Sequence, residues 1–272
     1  MSEGCNHQCS SCNVEGCGIR QLETLNDVKI KKIIGILSGK GGVGKSMITA
    51  LLAIELVNKG YKVGIMDADI TGPSIPKMFG LGNQLFGDEI GIFPAESKKG
   101  IKIISMNMML ENEDTPVLWR GPILGNVLSQ FYSESHWGEL DYLLIDMPPG
   151  TGDVAISVMQ SIPVNGFVMV TSPSKLVSMV VGKTINMANT VNTKIYGLVE
   201  NMAYVKCPDC NREIKIYNDD DINNISKKYN LDILGKLPLD PSIANKADNG
   251  LIEEYDGNYL KDLIERIETN DE

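Results

Sequence analysis

The chain has 272 residues, room for one to two domains and a sizeable core. With 43% hydrophobic and 22% charged residues, its composition is that of an ordinary globular protein rather than a disordered or fibrous one. Lys and Arg number 25 against 35 Asp and Glu, and the net charge of −10 argues against nucleic acid or an anionic membrane as the partner; the apolar runs are also too short to span a bilayer.

Residues 1–28 contain Cys5, Cys9, Cys12 and Cys17 but no apolar periodicity, and are expected to form an extension outside the main unit, residues 29–272. The opening MSEGCNHQCSSC shows no charged stretch followed by an apolar one, so the expected compartment is the cytoplasm. Thiols stay reduced there, which favours metal or redox chemistry over disulfides. The four N-terminal thiols could hold an iron–sulfur cluster or zinc within one subunit, or stay unligated.

From Lys32 onward, short apolar runs alternate with longer amphipathic stretches, which predicts an α/β fold with a mostly parallel sheet and helices on both faces. The first run, IIGIL at 33–37, leads into Gly39, Lys40, Gly41, Gly42, Val43, Gly44, Lys45 and Ser46, the GxxxxGK[ST] pattern between a strand and a helix over 45–58. Glycines let the backbone N–H groups of such a loop face phosphates, and the helix N-terminus adds its dipole. These residues, with Met47 beside them, are the candidate ATP site; Lys45 would neutralise the β- and γ-phosphates and Ser46 would ligate Mg²⁺.

The run at 63–66 ends in Asp67 and Asp69, whose spacing turns both side chains to one side of an extended segment. Asp67 is placed at the metal and its water, and Asp69 at the attacking water. After a strand at 101–104 and a helix at 122–134, the run at 142–145 ends in Asp146, a Walker B acid for the Mg²⁺ shell, with Gly150 free to approach the γ-phosphate. Helices at 152–161 and 174–190 flank a strand at 167–170, and a further strand covers 195–199. Cys207 and Cys210 form a Cys-x-x-Cys turn that supplies two thiolates where a cluster or zinc needs four; a two-fold dimer would complete the set. A zinc knuckle and a redox dithiol are the competing readings. A helix at 219–229, an edge strand at 232–234 and a helix at 256–268, with Leu260, Leu263, Ile264 and Ile267 on one stripe, complete the pattern.

The string KGGVGKS resembles the deviant Walker A class of P-loop ATPases, which includes the partition and cell-division ATPases, the nitrogenase iron protein and the arsenite-pump ATPase. In that class the first lysine reaches the partner's phosphates, so the resemblance implies a homodimer enclosing two ATP molecules, with Lys40 acting across the interface. The stretches DADITGPSIPKMFGL at 67–81, VLWRGP at 117–122, WGELDYLLIDMPPGTGD at 137–153 and CPDC at 207–210 further resemble the Mrp/ApbC-type ATP-binding iron–sulfur cluster carriers. This resemblance implies an ATPase that delivers its cluster to apo iron–sulfur proteins. It implies that Asn201 recognises adenine, with Leu237, Pro238, Leu239 and Asp240 lining the base. It also implies that Cys207 and Cys210 bridge a labile [4Fe–4S] cluster between subunits. The N-terminal cysteines resemble the cluster motif of the eukaryotic cytosolic scaffold branch, with a shorter first spacing that leaves their ligand identity open. Trp119 and Arg120 are expected in the fold or the dimer surface. A zinc-stabilised dimeric switch and a partition-type positioning ATPase are the alternative functions.

Overall fold

The computed structural model describes residues 22–69, 74–82, 85–109, 121–173, 175–215 and 220–269; Cys5, Cys9, Cys12, Cys17, Trp119 and Arg120 lie outside them. In chain order, β1 (Lys29–Ser38) leads through the glycine loop to α1 (Lys45–Asn58) and β2 (Val63–Asp67). Next come the short α2 (Ile75–Met78), the two-residue strands β3 (Phe86–Gly87), β4 (Ile92–Phe93) and β5 (Ala95–Glu96), and then β6 (Lys102–Ser105). They are followed by α3 (Gly121–Ser133), β7 (Glu139–Asp146), α4 (Asp153–Ser161), β8 (Gly166–Thr171), α5 (Lys175–Thr190) and β9 (Ile195–Lys206). The last elements are β10 (Glu213–Ile214), α6 (Asp220–Tyr229), β11 (Ile233–Pro238), α7 (Pro241–Asp248) and α8 (Lys261–Thr269).

The described strands of the main sheet include seven in parallel, in the order β11, β9, β8, β1, β7, β2, β6, with β10 and β5 added antiparallel to β9 and β6. The order reverses at β1. The chain passes from β1 beyond β7 to reach β2 on one side, and from β7 across β1 to β8 and β9 on the other. Right-handed crossovers in opposite directions lay their helices on opposite faces, so β1 is buried on both, from Lys32 to Ser38. A sheet of this kind opens its crevice beyond the carboxyl ends of its strands at the point of reversal, where the glycine loop leaves β1.

The sequence pattern locates the central elements closely because each is an apolar run bounded by Gly, Asp or Pro. α1 occupies the expected residues and is buried along most of its length, with Ile48, Leu51, Leu52, Ile54 and Leu56 fully enclosed. Each such side chain contributes roughly 1.5–3 kcal/mol by leaving water. Two differences stand out. The last helix starts at Lys261, not near residue 256, because the preceding residues are irregular and end in a turn at Tyr259 and Leu260: the Leu260 N–H donates to the Glu55 carboxylate, and Ile264 N–H to the Leu260 carbonyl opens the first turn. α7 is absent from the expected elements, although Asp240 before Pro241 is a capping residue before a proline in the first turn. Upstream of β1, Val28 is buried and Leu22 and Leu25 lie against the core, so packing begins before residue 29.

Candidate functional site

The loop after β1 is tied down at its start. Ser38 Oγ donates to the Lys40 carbonyl at 3.1 Å, and the Gly150 N–H donates to the Ser38 carbonyl at 2.9 Å. Gly42 and Gly44 take φ of 81° and 80°, the left-handed values that let successive N–H groups face one point. Among the described residues, a Cβ at Gly41 or Gly42 would meet nothing within 4 Å, so the loop's outer side is open to them there. One at Gly39 would stand 2.8 Å from the Val181 nitrogen in α5, and one at Gly44 would collide with Asn201 Nδ2. α1 begins with no side-chain cap and no acidic residue in its first turn, which leaves its first N–H groups for an anion. Lys40 is exposed on the loop and Met47 half-buried behind it.

Pairing of β2 with β7 sets Asp67 opposite Asp146 at the carboxyl ends of both strands. Lys45 Nζ lies 2.8 Å from Asp146 Oδ1 and 3.3 Å from Asp69 Oδ2. Ser46 Oγ donates to Asp146 Oδ2 at 2.5 Å and Thr49 Oγ1 to Asp146 Oδ1 at 2.8 Å. Asp67 accepts from Ser105 Oγ at 2.9 Å and from the Asp69 N–H at 3.1 Å. Burial opposes the charge on Lys45, but Asp146 and then Asp69 outweigh it and hold the ammonium's pKa above its ordinary value. Burial, and then the charge of Asp146, lift the Asp67 carboxyl well above the usual range. A buried ammonium gripped by two carboxylates, beside a glycine curl with an open face, fits an incoming polyphosphate. The Ser46 hydroxyl and Asp146 together form an oxygen donor set suited to Mg²⁺.

The sequence-based candidates Lys45, Ser46, Asp67, Asp69 and Asp146 thus converge, with Gly150 bonded beside them. Thr49 and Ser105 escape sequence reasoning. Their partners lie far away in sequence, and neither residue belongs to the loop motif.

Asn201 is buried beneath the loop, and its Nδ2 donates to the Val43 carbonyl at 3.0 Å. Pro238 is buried opposite Tyr204, and Asp240 caps α7 by accepting from the Ser242 N–H at 2.8 Å. Cys207 and Cys210 lie just beyond β9, with free thiols, Cys207 half-buried and Cys210 exposed. The Cys207 N–H donates to the Arg212 carbonyl and the Asn211 N–H to the Cys207 carbonyl, both at 2.9 Å, and Asn211 closes the turn at φ 56°. The backbone N–H groups of Cys210 and Asp209, and then the Cys210 thiol, point at the Cys207 sulfur and lower its pKa, which favours the thiolate form. Among the described residues no group of three or more His, Cys, Asp or Glu is placed to hold a metal ion. No helix among the described residues is long and apolar enough to cross a membrane.

Comparison with known proteins gives a consistent picture. The family model described as ParA, NUBPL iron-transfer P-loop NTPase, matches residues 29–270. The chain is 42% identical over 259 residues to the iron-sulfur cluster carrier protein of Clostridium perfringens, covering 91% of each. It is 38% identical over 252 residues to the cytosolic Fe-S cluster assembly factor CFD1 of Saccharomyces cerevisiae, covering 88% of this chain and 86% of that one. Its structure is similar to that of a nucleotide-binding protein from Archaeoglobus fulgidus in complex with ADP, with a TM-score of 0.77 at 39% identity, over 85% of this chain and 91% of that one.

Proposed function

The chain belongs to the NUBPL iron-transfer P-loop NTPase family, and from that membership we propose that it is an ATP-dependent iron–sulfur cluster carrier that hands its cluster to apo iron–sulfur proteins. The observation that carries this reading is the Cys207/Cys210 turn, set at the end of the strand that passes beneath the nucleotide loop.

In this reading ATP takes the place that Asp146 and Asp69 now hold at Lys45, with its phosphates on the loop N–H groups and the start of α1. Asn201, whose amide holds the Val43 carbonyl before nucleotide binds, turns to the adenine, and Pro238 and Asp240 line the base. Mg²⁺, when bound at Ser46 and Asp146, would neutralise charge on the β- and γ-phosphates. Asp69 orients the attacking water, and Asp67 braces it through the Asp69 N–H. Lys40, exposed and free of the local acid cluster, serves a partner subunit's nucleotide in a homodimer. Two copies of the cysteine turn meeting at the dimer axis supply four thiolates for one [4Fe–4S] cargo. Cys5, Cys9, Cys12 and Cys17 would hold a second metal centre. The yeast relative is described as cytosolic, and we place this chain in the cytoplasm on that likeness.

The test is anaerobic reconstitution of wild type and of the Cys207→Ala/Cys210→Ala double variant, with iron, sulfide, zinc and dimer content measured for each. Wild type should bind iron and sulfide, and the variant should lose about one cluster per dimer, the remainder belonging to the N-terminal cysteines. Retention of zinc alone by both proteins would sink the carrier reading and leave a metal-stapled switch.

A further inference from the structure

β9 changes character midway. From Ile195 to Glu200 it pairs regularly with β8, apart from one shift near Phe167, and the pairing ends at Thr171 and Glu200. Against β11 the register then slips: two steps on β11, from Lys236 to Pro238, oppose four on β9, from Glu200 to Tyr204. Two extra residues are therefore accommodated in a bulge at Asn201, Met202 and Ala203, and such bulges bend a strand and redirect the residues beyond them. Met202 sits in this bulge at φ 57°, a left-handed value that a methionine adopts only when its surroundings impose it. Pairing resumes at Tyr204, whose carbonyl accepts from the Leu239 N–H at 2.7 Å, and the strand continues to Lys206 and the cysteine turn.

The nucleotide loop rests on this bulge. Asn201 Nδ2 holds the Val43 carbonyl, and a Cβ at Gly44 would lie 3.8 Å from Met202 Cε as well as in collision with the Asn201 amide. The loop and the bulge are thus in direct contact at the point where β9 bends. We propose that the Asn201–Met202–Ala203 bulge is the hinge that transmits nucleotide occupancy from the glycine loop to the Cys207/Cys210 turn. The strained Met202 backbone keeps the hinge stiff, and release of the Asn201–Val43 hydrogen bond, as Asn201 turns to the adenine, is the event that passes from the loop to the hinge. These are positioning residues for cluster release. The proposal rests on the carrier reading but assigns the coupling to a specific part of the chain.

The experiment uses the full-length apo-protein. Iodoacetamide labelling of Cys207 and Cys210 is measured peptide by peptide by mass spectrometry, with and without saturating ATP and Mg²⁺, alongside ATP affinity and turnover. In wild type, ATP should change the labelling rate by about fivefold or more, the low end of allosteric coupling. Met202→Gly, which makes the hinge pliable, should bind and hydrolyse ATP within about twofold of wild type yet lose that nucleotide effect. Met202→Asn, whose side chain tolerates the left-handed backbone, should retain most of it. Asn201→Ala should lose it even at saturating ATP, which covers the case in which Met202→Gly fails to fold by circular dichroism. The proposal is overturned if Met202→Gly or Asn201→Ala keeps the wild-type ratio, or if wild type itself shows no response to ATP. Failure of the carrier reading would be seen separately, as a wild-type protein that takes up neither iron nor sulfide.

Discussion

Glu55 shows how far one side chain of the nucleotide helix reaches. It lies in the buried half of α1, and its carboxylate accepts from the Tyr255 hydroxyl at 3.1 Å and the Leu260 N–H at 3.3 Å. Burial pushes its pKa up to about 7, with these hydrogen bonds pulling the other way. Folded Glu55 therefore holds its proton more tightly than the unfolded chain does. Its contribution to stability is whole below the ordinary value of 4.5 and is lost as pH rises through about 7. Glu55→Gln keeps an acceptor there without the charge. Its melting temperature should match wild type at pH 5 and exceed it at pH 8 by roughly 2–4 °C, about 1 kcal/mol after allowing for solvent screening. Equal differences at both pH values would show that the charge is not the cause. Nothing local in the sequence announces this residue: within α1 it reads as an ordinary helical glutamate, and its partners lie about 200 positions away.

Elements are more legible than their long-range bonds. The glycine loop, α1 and the acids at the ends of β2 and β7 follow from local pattern, because a phosphate loop needs glycines at fixed offsets and a buried parallel strand needs an unbroken apolar run. The bulge in β9 is not legible, since Met202 adopts a backbone that glycine or asparagine would ordinarily mark. The hairpin of β3 and β4, with Phe86 and Phe93 exposed, also lacks the alternation that signals a strand. α8 is an intermediate case: its stripe is plain in the sequence, and only its start is displaced by the Leu260–Glu55 bond. Leu263, Ile264 and Ile267 are buried and the helix packs on β11 and β9. Ile264→Ala should therefore cost about 2–4 kcal/mol. Thermal denaturation should show this as a drop of roughly 4–16 °C, whereas a drop under about 2 °C would mean that α8 is only loosely docked.

At the scale of the whole molecule, the two lysines of the glycine loop stand in different surroundings. Lys45 is enclosed by acids of its own chain, whereas Lys40 is exposed and has no ion pair among the described residues. If Lys40 serves the other subunit, Lys40→Ala and Lys45→Ala should each be inactive alone and should complement each other when mixed. In an equimolar mixture with random pairing, half the dimers are mixed and each has one competent site, so about a quarter of wild-type ATPase should return. A mixture as inactive as its components would place Lys40's action within its own chain.

The sheet order also bears on how such a protein can diversify. The glycine loop and its acids stand at the centre, where every neighbour is packed on both faces. The cysteine turn is a surface fitting beyond the end of β9, exposed from Pro208 through Lys215. Substitutions in the first region disturb the motor and the core together, whereas the second can be lengthened, recut or exchanged with little loss to folding. If the cysteine turn is the working site, as proposed, the molecule is an engine with a detachable tool, and a change of recipient would be written into the tool while the engine stays the same.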